Sequence, residues 1–141
     1  MLYAATPDYT HAAEVRDPHR LLFVSGTMGL DAAGTAPPTL EEQLDLVWDN
    51  LRAILAEADM TVDDVVRVTS YLRDPAYADA NAAARVAALN GRAVPTTAIV
   101  AQTLDPSWLV EIEVVAATIR RPCDCSSPAV PATSDRSSPS S

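Results

Sequence analysis

The sequence predicts an α+β domain, a mixed sheet with two helices on one of its faces. Three observations carry that prediction. Two segments show helical periodicity between recognisable caps, several short runs are rich in β-branched and aromatic residues, and these alternate as β-β-α-β-α-β-β. Two helices cover only one face of such a sheet, so the other face is expected to meet further copies of the chain.

The N-terminal segment Tyr9 to Val15 is expected to pair with Leu21–Val24 as a hairpin, with Asp17, Pro18 and His19 in the turn. Leu21, Leu22, Phe23 and Val24 form a short buried-type run that ends at Ser25-Gly26, where Gly26 either closes the strand tightly or serves a pocket. The first helix opens at Thr39, with Glu42 three residues on as a capping box. Its apolar face carries Leu40, Leu44, Val47, Leu51, Ile54, Leu55 and Ala58, and its polar face Glu41, Asp45, Asp49 and Arg52. Val65 to Leu72 then reads as a strand. Asp74 is the N-cap of a second helix with Pro75 at its first position, running through alanine-rich Ala76 to Leu89 and stopping at Asn90-Gly91. Thr96 to Val100 is a further strand. The last one, Leu109 to Ile119, alternates Val110, Ile112 and Val114 against Glu111 and Glu113. Two glutamates on one face of an apolar strand mean a solvated face, a pocket or a subunit interface.

A chain of 141 residues that is 48% apolar is sized for one domain with a real core, read as residues 1–121. Residues 122–141 are serine- and proline-rich and are expected to form a disordered tail. Cys123 and Cys125 lie in that tail, and two thiols cannot complete a tetrahedral metal site, so they read as bystanders. All ten basic residues are arginine, and the net charge of -9 offers no basic track for nucleic acid or anionic lipid. No apolar run reaches the roughly 20 residues that span a bilayer, and the N-terminal residues lack a signal-peptide pattern, so a cytoplasmic location is expected. Abundant alanine, proline and arginine without lysine suggest a GC-rich bacterial source.

Strong catalytic motifs are missing. The four glycines form neither a phosphate loop nor a dinucleotide fingerprint, and Ser25 does not sit in a Gly-x-Ser-x-Gly elbow. His11 and His19 are too few for a metal cluster; His19 reads as surface in a polar turn, and His11 is either a general base or pocket donor, or a hydrogen-bonded strand residue.

Phe23-Val24-Ser25-Gly26, Glu42-Gln43 and Asn50-Leu51, Asp64 to Val68, Tyr71 to Asp74, Asn81, Pro95 and the closing Val110 to Ala116 together resemble the RidA/YjgF family of reactive intermediate deaminases. The resemblance covers nearly all of residues 1–121. It implies a chorismate-mutase-like fold assembled as a homotrimer, sheets facing inward, with a small-molecule site in each subunit cleft and neither metal nor organic cofactor. Active members hydrolyse 2-imino or 2-enamino acids to 2-keto acids and ammonia. The resemblance implies Glu111 as the catalytic residue that positions and activates water. Tyr9, Ser25, Gly26, Asn81, Thr97, Ala98 and Ile99 match substrate-binding positions.

One departure is chemically large. The family's carboxylate-clamping arginine falls at Thr97, its usual cysteine at Ile99, and an aromatic of the second helix at Ala84. Losing a bidentate guanidinium–carboxylate contact costs roughly 2–4 kcal/mol, so a free imino acid is expected to be a poor substrate unless Arg85, Arg92 or another donor substitutes. The expected activity is hydrolysis or tautomerisation of a neutral imine, enamine or enol. The alternatives are a non-catalytic metabolite-binding protein and an ordinary 2-imino acid deaminase with a substitute donor. Trp108 either walls the cleft or is ordinary packing.

Overall fold

The computed structural model describes residues 1–119. The end of the folded domain at 121, the tail and both cysteines lie outside the described residues. The elements are β1 (Tyr9–Thr10), β2 (Pro18–Met28), α1 (Leu40–Glu57), β3 (Val65–Leu72), α2 (Ala78–Ala88), β4 (Val94–Val100) and β5 (Val110–Ile119), with single 3-10 turns at Val62–Asp64 and Pro75–Tyr77. The sheet order is β1-β4-β3-β5-β2. β4 runs parallel to β1 and β3, while β5 is antiparallel to β3 and β2, so the sheet is mixed as the sequence predicts.

The first helix starts where its cap predicts, and the second starts four residues after its predicted cap. Thr39 Oγ1 accepts the Glu42 N–H at 3.2 Å, and its hydroxyl donates to the Glu42 carboxylate at 2.9 Å. That second bond replaces the backbone N–H contact of a full capping box. Asp74 accepts the Ala76 N–H at 2.8 Å, but the first turn after it is 3-10, and α2 proper begins at Ala78. The second helix ends through left-handed Asn90 and Gly91, with the Gly91 N–H donating to Val86.

The core lies between the two helices and one sheet face. Val47, Leu51 and Leu55 of α1 and Leu89 beyond α2 pack against Val65, Val68, Val110, Ile112 and Ala116. Ile54 departs from its predicted place. It is exposed, while Trp48 and Gln43 of α1 are buried, so the apolar stripe is turned toward Trp48. Asn50 Nδ2 joins this helix to the end of β2, donating to the Met28 and Leu30 carbonyls at 3.1 and 3.0 Å.

Three strand expectations are corrected. The N-terminal segment makes no hairpin with β2; Tyr9 and Thr10 instead lie parallel beside Val94 and Pro95. Asp8 is the reason: its carboxylate accepts from Arg85 Nη2 at 2.9 Å and its carbonyl from Nη1 at 2.9 Å, drawing the segment to α2 and the far edge of the sheet. The second strand does not end at Ser25-Gly26. It continues to Met28 through a register shift between Val24 and Thr27, a bulge that makes room for both residues. Leu21–Val24 is also not buried throughout, because Leu21 (52% exposed) and Phe23 (73%) face away from the helices.

The Arg85–Asp8 pair yields a stability prediction. Arg85 is buried and Asp8 is one-third exposed, so removing the carboxylate strands a guanidinium in the protein. Asp8→Asn is expected to cost about 1–2 kcal/mol in urea unfolding at neutral pH, below the 3–5 kcal/mol of a fully buried pair because solvent reaches Asp8. The Thr6 hydroxyl first, and Arg85 with it, hold the Asp8 carboxyl below its ordinary value. A depressed carboxylate stabilises the fold above its unfolded-state value and stops doing so as pH falls through its folded value. The difference between wild type and Asp8→Asn should therefore vanish in acid below the ordinary aspartate range.

Candidate active site

Alternation along β5 sends Val110, Ile112 and Val114 into the core and Glu111 and Glu113 to the sheet face that carries no helix. Pairing then decides their company. Tyr71 of β3 lies directly opposite Glu111, and Thr69 opposite Glu113. One strand further, Ile99 of β4 sits beside Tyr71 and Thr97 beside Thr69. Across β5 on the other side is the bulge of β2.

Gly26 in that bulge is where the Glu111 side chain rests. A Cβ on Gly26 would stand 2.0 Å from Glu111 Oε2 and 3.0 Å from its Cδ. Only a residue without a side chain lets the carboxylate take this position. The Tyr71 hydroxyl donates to Glu113 Oε1 at 3.2 Å. Burial first, then the charge and hydrogen bond of Glu113 and the charge of Glu111, push the Tyr71 phenol above its ordinary value, with Arg67 opposing. Tyr71 thus stays a neutral phenol between two carboxylates.

A cavity of about 160 Å³ opens beside this group, lined by Tyr71, Glu111 and residues 101–104 of the loop after β4. That loop is held from two sides. Arg73 donates to Thr103 twice, from Nε to Oγ1 at 2.7 Å and from Nη2 to the carbonyl at 2.9 Å. The buried Gln43 amide donates to the Pro37 and Ser107 carbonyls, each at 2.8 Å, and accepts the Leu109 N–H at 2.9 Å. Gln43 therefore fixes both the approach to α1 and the start of β5.

Of the residues singled out from sequence, the structure brings together Glu111 and Gly26, with Ile99 next to their partner Tyr71 on the same face. Ser25 is exposed at the bulge, its carbonyl taking the Thr27 hydroxyl at 2.9 Å. Thr97 shares the open face but sits one row along and two strands across from Glu111. Its hydroxyl accepts from Arg67 Nη2 at 3.2 Å. Ala98 pairs with Ser70 and points to the opposite side of the sheet. Asn81 is buried on α2, and its Oδ1 has no partner among the described residues. Tyr9 lies three strands from β5, about 14 Å away at the usual strand spacing, with its ring edge-on to His11. Within one chain, then, Tyr9, Asn81 and Thr97 do not meet Glu111. His11 is exposed, its Nε2 2.7 Å from the Tyr3 carbonyl. Arg92 is committed to the Val62 and Val65 carbonyls at 2.6 and 3.0 Å, as Arg85 is to Asp8. Trp108 is half-buried and does not line the cavity.

Arg67, Tyr71 and Arg73 stand in segments that carry the resemblance, but a reading by motif gives none of them a place at the site. A usable signal was present in β3 itself, where Arg67, Thr69 and Tyr71 alternate with Val68, Ser70 and Leu72. A polar face on β3 predicts the same open side that Glu111 and Glu113 mark on β5.

Comparison with known proteins gives a consistent picture. The model of the family described as Endoribonuclease L-PSP matches residues 2–118. The RutC family protein YjgH of Escherichia coli (strain K12) is 43% identical over 74 residues, 52% of this chain and 53% of that protein. A RutC family protein of Pyrococcus abyssi is 35% identical over 68 residues, 47% of this chain and 51% of the relative. The match thus spans about half the length of these curated relatives. Among solved structures, a protein of the conserved Rid family, YyfB of Yersinia pestis, superposes with a TM-score of 0.74 at 31% identity, covering 82% of this chain and 92% of that one. RidA of an Antarctic Psychrobacter gives 0.65 at 25% identity, covering 81% and 91%. Among the described residues, no helix is long and apolar enough to cross a membrane.

Proposed function

The chain belongs to the RidA/YjgF family, and from that premise we propose that it is a cofactor-free enzyme hydrolysing or tautomerising a neutral imine, enamine or enol in clefts between three copies of itself. The observation that carries this reading is the Glu111 carboxylate, seated over Gly26 and facing a cavity beside Tyr71. A carboxylate in that position can take a proton from water or substrate and return it to the leaving nitrogen. The association into three copies is supported by the apolar side chains on the open face, where Leu21, Phe23 and Ile99 are about half or more exposed. Thr97 argues for a substrate without a carboxylate, since the side chain at that position offers a hydroxyl and no charge. Ribonuclease activity fits this chain poorly, because a net charge of -9 repels a polyanion.

A second reading, 2-imino acid deamination, is favoured by one contact. Arg67 reaches the Thr97 hydroxyl from the neighbouring strand and brings a guanidinium to the position where the family's arginine is expected.

Semicarbazide competition separates the readings. A flavin monoamine oxidase acting on benzylamine supplies a neutral imine, and a flavin amino-acid oxidase supplies 2-imino acids. Faster loss of the neutral imine alone is the expected result, with light scattering giving three times the 15.0 kDa chain mass. Acceleration of the imino acids that disappears in Arg67→Gln would establish the second reading instead. No acceleration of either by a folded trimer would leave a binding protein, and a 15.0 kDa particle would remove the intersubunit cleft.

A further inference from the structure

Nothing in the family resemblance assigns Tyr71 or Glu113, yet the geometry joins both to the cavity at Glu111. We propose that Tyr71 is a second catalytic residue, a phenol that carries protons between the cavity and Glu113; this rests on the imine-hydrolysing reading above. Three facts support it. Tyr71 and Glu111 line the same cavity. They are cross-strand partners, so their side chains leave the sheet side by side. The Tyr71 hydroxyl donates to Glu113 Oε1 at 3.2 Å, which leaves the phenolic oxygen free to accept from the cavity side.

Charge decides how the phenol works. Glu111 and Glu113 of β5 face it, and Arg67 on its own strand stands two rows along, beyond Thr69. A phenolate beside two carboxylates is strongly disfavoured, so Tyr71 must release its proton as it accepts another. The same two carboxylates favour the protonated form of a bound imine. Water then adds to the iminium carbon; the new C–O bond forms as the C=N π pair moves to nitrogen. One water proton passes to the Tyr71 oxygen while the phenolic proton passes to Glu113, giving a neutral carbinolamine. In the second half, the proton on Glu113 returns through Tyr71 to the nitrogen, Glu111 takes the hydroxyl proton, and the C–N bond breaks. Glu111 hands its proton to the departing ammonia. An iminium ion and water become a carbonyl compound and ammonium, and both glutamates end as they began.

The test compares Tyr71→Phe, Glu113→Gln and the double variant on the neutral imine made from benzylamine. Each single change should lower kcat by roughly 100-fold with KM within about threefold, and the double variant should be no slower than Tyr71→Phe, because both changes cut one path. Wild-type kcat retained in Tyr71→Phe, or losses that multiply in the double variant, would overturn the relay alone. No acceleration by the wild-type chain would overturn both the relay and the hydrolytic reading. A measurement without turnover stands beside these. In a tyrosinate absorbance titration, the transition missing from Tyr71→Phe should shift to lower pH in Glu113→Gln, and an unmoved transition would dismiss the Tyr71–Glu113 link.

Discussion

Glu111→Gln should lower imine turnover by roughly 10²–10⁴-fold, with substrate affinity changed little. The amide has the size of the carboxylate and fits over Gly26, so the cavity keeps its shape, but it can neither take the carbinolamine proton nor return one to ammonia. Steady-state kinetics with the benzylamine-derived imine reads both parameters. Unchanged kcat would mean that no proton passes through Glu111. Gly26→Ala tests the same group without removing it. The new Cβ would stand 2.0 Å from Oε2, so the carboxylate must swing out of its seat. Turnover should fall in this variant too, while circular dichroism and unfolding midpoint stay near wild type, since the atom displaced is the end of a flexible side chain.

The largest loss of stability is expected at Gln43. Gln43→Leu removes three hydrogen bonds and leaves the Pro37 and Ser107 carbonyls and the Leu109 N–H without this partner. At about 1–3 kcal/mol for each buried group left unsatisfied, partly recovered by water at the loop ends, the net cost should be about 3–4 kcal/mol. Urea unfolding measures it, and a change under 1 kcal/mol would show that the amide is dispensable. Gly29 gives an independent check. A Cβ there would meet the Gln43 carbonyl oxygen at 2.3 Å and its Cα at 2.9 Å. Both are backbone atoms of a packed helix and cannot move aside as the Glu111 side chain can. Gly29→Ala should therefore destabilise the protein where Gly26→Ala does not.

These two glycines show how far a motif reading goes. Ser25-Gly26 was legible as a marked position, either a strand end or part of a pocket. The pairing of β2 with β5 removes the strand-end reading and places Gly26 under the Glu111 carboxylate. Gln43 was visible only as part of a family pattern. That it anchors the loop beside the cavity depends on residues 64 and 66 positions away in the chain.

By itself the sequence determined both helices, four of the five strand positions, the open sheet face and the side on which Glu111 and Glu113 lie. Periodicity and capping are local, and they record which side of each element is apolar. Only the tertiary structure decided that the N-terminal segment pairs with β4 rather than β2, that Ile54 yields its core place to Trp48, and that Tyr71, Glu113, Arg67 and Thr97 form contacts. The physical reason is the same in each case. A strand's pattern states that one face will be buried, but not which neighbour supplies its hydrogen bonds; that choice belongs to distant groups such as the Arg85 guanidinium, which draws Asp8 and β1 across the sheet.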